Sequence, residues 1–355
     1  MRHREVVTNP LRVLVVSNML PSATAPQYGV FVVRQTAALQ QAGCVVELVG
    51  LQRSVGGRFD LPARYLGLER STTCSADRFR PDVILAHYLM PTGLIARRVA
   101  RRLRVPYVLT AHGGDVTHAE RSRPLRAATR IAVSGAITVI AVSQDLGDRL
   151  TALYPGLQPE VIDMGVDRAL FHPGTGDLSS FGPPPSRPLV VQVGNLIERK
   201  NPERLARAVE RLHNERGGGE LWIAGDGPLA DQLRGLPHVR LLGAVAPERI
   251  PDLLRGADVA ALVALSEGYG LGALEAVACG VPLVVSQAAP VARDLPASAA
   301  VVVDPHSEDA ILAGLRAGLA LARDDPAGQL AADAHADVVQ ARRLADLLRR
   351  VARWS

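Results

Sequence analysis

Short apolar runs alternate with longer helical patterns along most of this chain, and this alternation restricts the folds open to it. Strand-like runs of four to seven residues are typical of parallel strands that are buried on both faces. Helical segments between them, for example 30–42, would supply the crossovers that parallel strands need. We predict an α/β protein built from doubly wound parallel sheets. The predicted strands are 11–16, 45–49, 83–86, 107–110, 136–142, 189–193, 221–224, 239–242, 259–263, 283–286 and 300–303.

A segment rich in Pro, Gly and Ser, residues 171–188, divides this pattern into two halves. Such a composition is typical of a linker, and 355 residues are enough for two domains with substantial cores. We therefore predict a first Rossmann-like domain at 1–170 and a second at 189–337, with a cleft between them. Ligands are expected in the crevice beyond the carboxyl ends of the strands.

The composition is that of a globular protein, with 48% hydrophobic and 21% charged residues. No apolar run approaches the about 20 residues of a membrane-spanning helix. Residues 1–10 are polar and lack the apolar core of a secretion signal, so we expect a cytoplasmic location. The scattered Cys44, Cys74 and Cys279 have no metal-like spacing and are expected to be reduced core thiols.

Arginines concentrate between residues 92 and 130, although the net charge is only +5. The pattern predicts a helix at 92–104 with an apolar stripe and an arginine-rich opposite face. This face is either a solvated surface or a patch for peripheral contact with a membrane or an acidic substrate. Aromatic residues make up only 4% of the chain and do not interleave with the arginines, which argues against nucleic-acid binding.

Residues 266–280 form a glycine-rich turn followed by an apolar helix that contains one carboxylate, Glu275. The two glycines at 268 and 270 favour a helix that begins near Gly270 and ends at Gly280. The residues three or four positions from Glu275 are uncharged, so no local cation is available to it. A buried carboxylate needs a polar partner. Either the hydroxyl groups of a ligand or a distant arginine would serve.

Lys200 is the single lysine among 40 basic residues. A composition that favours arginine everywhere else indicates that this position needs a compact, strongly hydrated point charge, although a lysine retained by chance on a solvated loop is the alternative. Lys200 follows the predicted strand 189–193 and a tight turn at Gly194. It is therefore expected at the carboxyl end of a strand, where open α/β sheets bind their ligands.

The N-terminal half contains further candidates. Gly29 precedes the helix 30–42, where free amides favour an anion or a polar substrate, although a plain turn glycine is equally consistent. His112 follows the strand 107–110 and is expected to point into the crevice, with Asp115 fixing its tautomer; a helix-capping histidine is the alternative. His87 ends the strand 83–86 and is expected to pack as a structural residue.

Several chemistries lack their signatures. The chain has no GxxxxGK[ST] motif, no GxGxxG after the first strand, no GxSxG and no cluster of metal ligands. Glu267 and Glu275 do not form a convincing hydrolase pair, because one lies on a loop and the other within a helix.

Nearly the whole chain resembles a GT-B glycosyltransferase of the large retaining family 4. The Glu-x7-Glu segment from Glu267 to Glu275, with its glycines, is specific; the other matching pieces are individually short, but their order and spacing agree. The matching segments are 13–18, 110–115, 139–143, 165–167, 193–196 with Lys200, 224–228, 242–243, 267–270 and 275–280.

The resemblance implies a nucleotide-sugar donor, held mainly by the C-terminal domain, and no metal or other cofactor; we expect the donor to be a UDP-sugar. By similarity Glu275 would accept hydrogen bonds from the ribose hydroxyls. Glu267 would hold hydroxyls of the transferred sugar, helped by the amides of Gly270 and Leu271.

The resemblance also assigns roles to two basic side chains. Lys200 would neutralise the departing diphosphate, and His112 would reach the donor sugar and the reacting centre. Attack on the face from which the diphosphate leaves would retain the anomeric configuration.

A C-terminal helix within 338–355 would cross back to complete the N-terminal domain.

The chain departs from the family pattern in two places. Asn195 stands where the family commonly has an arginine that shares the diphosphate, so either Arg199 replaces it or Lys200 acts nearly alone. Residues 287–293 lack the usual glycine pair and glutamate.

The sequence predicts a glycosyltransferase that acts on a hydroxyl acceptor such as a small metabolite or a cell-envelope glycan. The acceptor would be bound by loops around Gly29, His87 and residues 51–75. A GT-B epimerase or phosphorylase and an inactive transferase-like partner protein are the alternatives.

Overall fold

The computed structural model describes residues 9–23, 25–52 and 61–353. The chain divides into two compact units. The first contains the described residues of 1–20, 31–162 and 340–355, and the second contains those of 21–30 and 163–339. The domain bounds inferred above, 1–170 and 189–337 with a linker at 171–188, stay a prediction.

The first unit is built on a six-stranded parallel sheet with the strand order β2-β1-β3-β4-β5-β6. Its strands are β1 (Arg12–Leu20), β2 (Val45–Gln52), β3 (Val83–His87), β4 (Tyr107–Ala111), β5 (Thr138–Ala141) and β6 (Glu160–Val161). Its helices are α1 (Val30–Gln41), α2 (Leu61–Phe79), α3 (Thr92–Leu103), α4 (Gly114–Arg121), α5 (Arg123–Val133) and α6 (Gln144–Leu153). The first residue of α1, Val30, is also the last residue of segment 21–30.

The second unit has a second six-stranded parallel sheet, with the order β12-β11-β10-β7-β8-β9. Its strands are β7 (Leu189–Val193), β8 (Glu220–Ala224), β9 (Val239–Gly243), β10 (Val259–Leu262), β11 (Leu283–Ser286) and β12 (Ala300–Val303). Its helices are α7 (Pro202–Arg216), α8 (Ala230–Leu233), α9 (Ile250–Gly256), α10 (Leu271–Ala278), α11 (Glu308–Gly318) and α12 (Pro326–Ala334).

The last helix, α13 (Asp337–Ala352), completes the core of the first unit. Its buried side chains Leu344 and Leu348 pack in one cluster with Val13 and Val15 of β1 and Val32 of α1. The apolar face of α13 is therefore buried against a sheet whose strand β1 lies more than 300 residues earlier in the chain. The predicted end of this helix at 354–355 lies outside the described residues.

The strand orders place one reversal point in each sheet. In the first sheet, β1 has β2 on one side and β3 on the other; in the second, β7 lies between β8 and β10. At such a point the two neighbouring strands send their connections to opposite faces, which opens a crevice beyond their carboxyl ends. The segments after β7 and β10 therefore meet at the position where an α/β sheet binds ligands.

The structure confirms the α/β class, the two doubly wound parallel sheets and the α10 segment, and it corrects some details. Residues 61–75, expected to form part of a loop, belong to α2; residues 53–60 of that loop lie outside the described residues. Cys74, expected in the core, is exposed on α2, whereas Cys44 and Cys279 are buried. The residues beside Cys74 on the exposed face of α2 are polar, so this face of the helix does not need to be buried.

Candidate functional site

The turn after β7 carries Lys200, and glycine is required where this turn begins. Gly194 has φ = 150°, which L side chains rarely adopt. A Cβ atom there would lie 3.4 Å from Cε of Lys200. The backbone angle alone calls for glycine here, because a Cβ atom at that distance would make an ordinary van der Waals contact with the lysine side chain.

Buried hydrogen bonds hold the Lys200 turn in place. The side-chain amide of Gln192 donates to the carbonyl oxygen of Lys200 at 2.9 Å. Asn201 is buried with φ = 57°, and its amide donates to the carbonyl oxygens of Val263 at 3.1 Å and Pro305 at 2.8 Å. These contacts join the turn after β7 to the segment that follows β10, so the two loops form one structure.

Lys200, Arg199 and Glu267 form a compact ion cluster at this junction. The ammonium group of Lys200 donates to Oε1 of Glu267, and Nη1 of Arg199 donates to Oε2 at 3.1 Å. Arg199 also donates to the carbonyl oxygen of Ser266 at 2.7 Å. The side chain of Glu267 is only 9% exposed, compared with 18% for Lys200 and 45% for Arg199.

The electrostatics of the cluster keep Glu267 ionised. Burial acts to raise the pKa of this carboxyl group, but the charges of Lys200 and Arg199, together with their hydrogen bonds, outweigh it and lower the pKa below its ordinary value. One buried carboxylate therefore faces two cations, and the cluster carries a net positive charge. An anion that approached Lys200 and Arg199 would compete with Glu267 for them.

The helix α10 begins directly beside this cluster. Gly270 precedes it with φ = 111°, and a Cβ atom there would lie 2.7 Å from Cγ1 of Val291, so only glycine fits. Leu271 is the first helical residue, and no side chain caps the helix at Gly270. The first amides of α10 and the positive end of its dipole thus suit a polar or anionic ligand. Glu275 is half-buried in the second turn, as predicted.

An open groove of about 520 Å³ lies further along the same sheet edge, after β8 and β9. Leu196, from the turn that carries Lys200, lines one side of it, and the amide of Leu196 donates to the carbonyl oxygen of Asp226 at 3.0 Å. Gly225 and Gly243 line the groove at the strand ends. The groove and the ion cluster are therefore connected through a single turn of the second unit.

His112 lies in the first unit, directly after β4, and the structure corrects the role expected for Asp115. The Asp115 carboxylate accepts hydrogen bonds from the backbone amides of His112 at 3.1 Å, Gly113 at 3.0 Å and Leu89 at 3.0 Å. These bonds shape the loop around the start of α4 and leave the His112 ring to another partner. Backbone amides at a helix start are favoured donors for a short carboxylate, and those at the start of α4 take Oδ1, while the amide of Leu89, after β3, takes Oδ2.

That partner is His87, which was expected to be only a packing residue. Nδ1 of His87 lies 3.0 Å from Nε2 of His112, and the two rings are close to parallel. The rings of Phe31 and Tyr88 also contact His112, with centroids 5.0 and 4.7 Å away. The signal that identifies His87 is register: it pairs with Thr110 across neighbouring strands, two residues before His112.

The structure thus brings together three of the predicted residues, Arg199, Lys200 and Glu267, with Gly270 and Leu271 next in the chain. Asn195 is exposed in the Lys200 turn. Gly29 lies in segment 21–30 of the second unit, directly before α1, with φ = 73°; Thr24 in that segment lies outside the described residues. Sequence reasoning missed the Glu267 ion pairs and the contact between His87 and His112.

Known proteins match both halves of the chain. Residues 6–164 match the family of glycosyl transferase 4-like domains, and residues 177–325 match the glycosyl transferases of group 1. TuaC of Bacillus subtilis, named as a glycosyltransferase of teichuronic acid biosynthesis, is 32% identical over 210 residues, which are 58% of this chain and 52% of TuaC. The chain thus spans about half the length of the relatives it matches.

Solved structures share the fold along nearly the full length. Sucrose-phosphate synthase from Thermosynechococcus elongatus superimposes with a TM-score of 0.80 over 97% of this chain and 100% of that chain, at 19% identity. Anabaena HepE, solved in complex with UDP-glucose, gives a TM-score of 0.72 over 96% and 99% of the two chains, at 18% identity. With both halves matched by family models and the fold shared throughout, the chain belongs to the GT-B glycosyltransferases of the family 4 type, the glycosyl transferases of group 1.

Proposed function

We propose that this protein is a retaining glycosyltransferase that moves a sugar from a nucleotide-diphosphate donor, specifically a UDP-sugar, to a hydroxyl group of an acceptor. The observation that carries the proposal is the Arg199–Lys200–Glu267 cluster beside the start of α10, at the reversal point of the second sheet. It combines cations for a diphosphate with a carboxylate for sugar hydroxyls. Both are groups that a nucleotide-sugar transferase requires.

Lys200 neutralises the diphosphate as it leaves. The bond between the anomeric carbon and the phosphate oxygen breaks while negative charge grows on the diphosphate, and a preplaced cation stabilises that charge by about 3 kcal/mol in a water-poor site. Arg199 is close enough to share this role in place of the arginine that Asn195 replaces, since both cations already lie on one carboxylate.

Glu267, Gly270 and Leu271 hold the sugar, and Glu275 holds the ribose. Once the diphosphate draws the cations away, both oxygens of Glu267 can accept hydrogen bonds from sugar hydroxyls. The amides of Gly270 and Leu271 lie at the positive end of α10. The groove after β8 and β9 has room for a nucleobase and adjoins the Lys200 turn through Leu196.

Retention of configuration follows from attack on the face that the diphosphate leaves. In this mechanism the acceptor oxygen bonds to the anomeric carbon, and a departing phosphate oxygen takes the acceptor proton. His112 contacts the donor sugar at the reacting centre. No protein base is then needed, in keeping with family 4 transferases.

The choice of uridine is supported by HepE, which binds UDP-glucose within a similar fold. TuaC, named for teichuronic acid biosynthesis, supports an acceptor from the cell envelope; a small metabolite is the other class of hydroxyl acceptor. Catalysis without a metal, peripheral membrane contact and a cytoplasmic location stay predictions. Over the described residues, none of the helices has the length and apolar character needed to cross a bilayer.

Two features of the described residues bear on the membrane prediction. Arg98 pairs with Glu69 at 2.8 Å and Arg102 pairs with Asp77 at 2.5 Å, both between α3 and α2. Exposed ion pairs of this kind are typical of a solvated face. They weaken the membrane alternative for α3 without bearing on the donor site.

The proposal is tested by thermal denaturation in the presence of UDP-, GDP- and ADP-sugars, followed by a product assay with the stabilising donor. A ligand at about 100 times its Kd adds about 2.7 kcal/mol to the stability of the folded protein, so the correct donor raises Tm by several degrees. Donor converted without acceptor would indicate an epimerase instead.

The variant Lys200→Ala provides the mechanistic control. It should still bind the donor measurably but lose turnover at least about a hundredfold, because the leaving charge is no longer neutralised. If no nucleotide sugar raised Tm, or if Lys200→Ala kept near-native turnover, the proposed function would be wrong.

A further inference from the structure

His87 and His112 share one proton, and the structure restricts where it lies. Burial lowers the pKa of His87 to about 4, and burial together with the neighbouring His87 lowers that of His112 well below its ordinary value. Both rings are therefore neutral near pH 7. Two neutral imidazoles carry two protons on four nitrogens, and the 3.0 Å contact between Nδ1 of His87 and Nε2 of His112 holds one of them.

Two arrangements satisfy this contact. In the first, Nδ1–H of His87 donates to Nε2 of His112, which leaves His87 with a bare Nε2 and gives His112 its proton on Nδ1. In the second, Nε2–H of His112 donates to His87, which leaves His87 with an Nε2–H group and His112 with a bare Nδ1. The arrangements differ in what each histidine presents on its other nitrogen.

The surroundings of His87 decide between them. The His87 side chain is fully buried, and its Nε2 has no hydrogen-bond partner within the described part of the chain. A buried N–H group without a partner is rarer and costlier in folded proteins than an unused acceptor. The first arrangement places a lone pair there, and the second would bury an unpaired donor. His87 therefore donates and His112 accepts.

We propose that His87 is a positioning residue that holds His112 in its Nδ1-protonated tautomer, so that His112 offers a bound ligand a hydrogen-bond donor rather than a base. His112 is only partly buried, whereas His87 is fully buried, which leaves part of His112 open to a ligand. The part of this inference that concerns turnover rests on the proposed function. An Nδ1–H donor suits a sugar hydroxyl or a phosphate oxygen and cannot accept the acceptor's proton.

The test is the tautomeric state of His112 read by nitrogen-15 NMR of histidine-labelled full-length protein at pH 7. Proton–nitrogen correlations within the ring distinguish a proton on Nδ1 from one on Nε2, and a His112→Asn spectrum assigns the signal. We expect His112 with the proton on Nδ1, which is the minor tautomer of a free neutral histidine side chain. A wild-type spectrum with the proton on Nε2 of His112 would overturn the proposal.

Two substitutions of His87 separate positioning from packing. His87→Phe keeps a ring but removes the donor, so the His112 signal should move to the Nε2-protonated or mixed form. His87→Asn retains an N–H donor near the same position and should restore the Nδ1 form. Phe31→Leu is the matched control, because Phe31 contacts the His112 ring without a hydrogen bond and should not change the tautomer.

Turnover provides the second measurement. His87→Phe should lower kcat about tenfold or more with little change in KM, and His87→Asn should recover most of the loss. The NMR result needs neither donor nor acceptor, so an inactive protein with the expected tautomer would count against the proposed function alone. An active protein whose His112 keeps its tautomer in His87→Phe would count against this inference alone.

Discussion

At the scale of single residues, Glu267 binds the same two cations that would bind the diphosphate of the proposed donor. Its carboxylate is almost fully buried and binds Lys200 and Arg199 at once. A charge buried in this way is tolerated because its partners are adjacent, and removing either side leaves the other uncompensated. The two cations are therefore already paired with one carboxylate, and the diphosphate of the proposed donor would compete with that carboxylate for them.

Replacing Glu267 by glutamine should strengthen UDP binding while it slows catalysis. Without the carboxylate, the diphosphate meets two unneutralised cations, and we expect UDP affinity to rise about tenfold, or about 1.4 kcal/mol. Turnover should fall about a hundredfold because the sugar loses a charged acceptor. Calorimetric titration with UDP measures the first effect.

Glu198→Gln is the matched control for that experiment. Glu198 lies in the same turn and is exposed, so the substitution removes the same charge without touching the cluster. An equal gain in UDP affinity for both variants would show that net charge alone is responsible. Weaker UDP binding by Glu267→Gln would contradict the competition between the two anions.

At the scale of elements, α10 depends on the backbone at its first turn more than on its side chains. Its sequence is apolar, and five of its eight residues are buried, so the helix is held by packing between the sheet and α12. Its entry angle depends on Gly270, because both the positive φ and the contact with Val291 exclude a side chain. The helix start that faces the proposed sugar is thus set by one glycine.

The pair Gly270→Ala and Gly272→Ala should separate this role from general helix propensity. Gly270→Ala should destabilise the protein by about 1–3 kcal/mol, which lowers Tm by several degrees. Gly272 lies inside α10, where a Cβ atom would meet nothing nearer than 3.9 Å, so alanine there should leave stability unchanged or raise it by up to about 1 kcal/mol. Scanning calorimetry of both variants provides the comparison, and equal Tm values would contradict it.

At the scale of the whole molecule, elements that lie far apart in the sequence fold together. The core of the first unit combines β1 and α1 with α13, so this unit cannot complete its core until α13 has been made. Such long sequence separation adds loop-closure entropy but buries an apolar helix face that would otherwise be exposed.

Leu348→Ala should destabilise the first unit selectively. Leu348 is fully buried, and a cavity left by Leu→Ala costs about 2–5 kcal/mol. Hydrogen exchange should then accelerate in β1 and α1 and remain unchanged in β7 and β8. Leu330→Ala makes the same chemical change at a side chain that is 70% exposed, and it should shift stability by less than about 0.5 kcal/mol. Uniform acceleration in both units would argue against separate cores.

Several properties of the protein follow from its sequence alone, because they depend on local patterns. The strand at 189–193 was predicted with its observed bounds, since an apolar run of that length bounded by Pro188 and Gly194 has few other structures available. The helix α10 and the place of Glu275 in its second turn follow from glycine positions and periodicity. The scarcity of lysine singled out Lys200 as a candidate, and its role stays a prediction.

Only the tertiary structure decided which of these residues meet. Strand order in a parallel sheet depends on how crossover helices pack, which no local pattern encodes, and it is this order that makes β7 and β10 neighbours and joins Lys200 to Glu267. In the same way, the register of β3 against β4 gave His112 a histidine partner in place of Asp115. Local patterns thus determine the elements and their chemistry, whereas contacts between residues distant in sequence arise only when the sheets assemble.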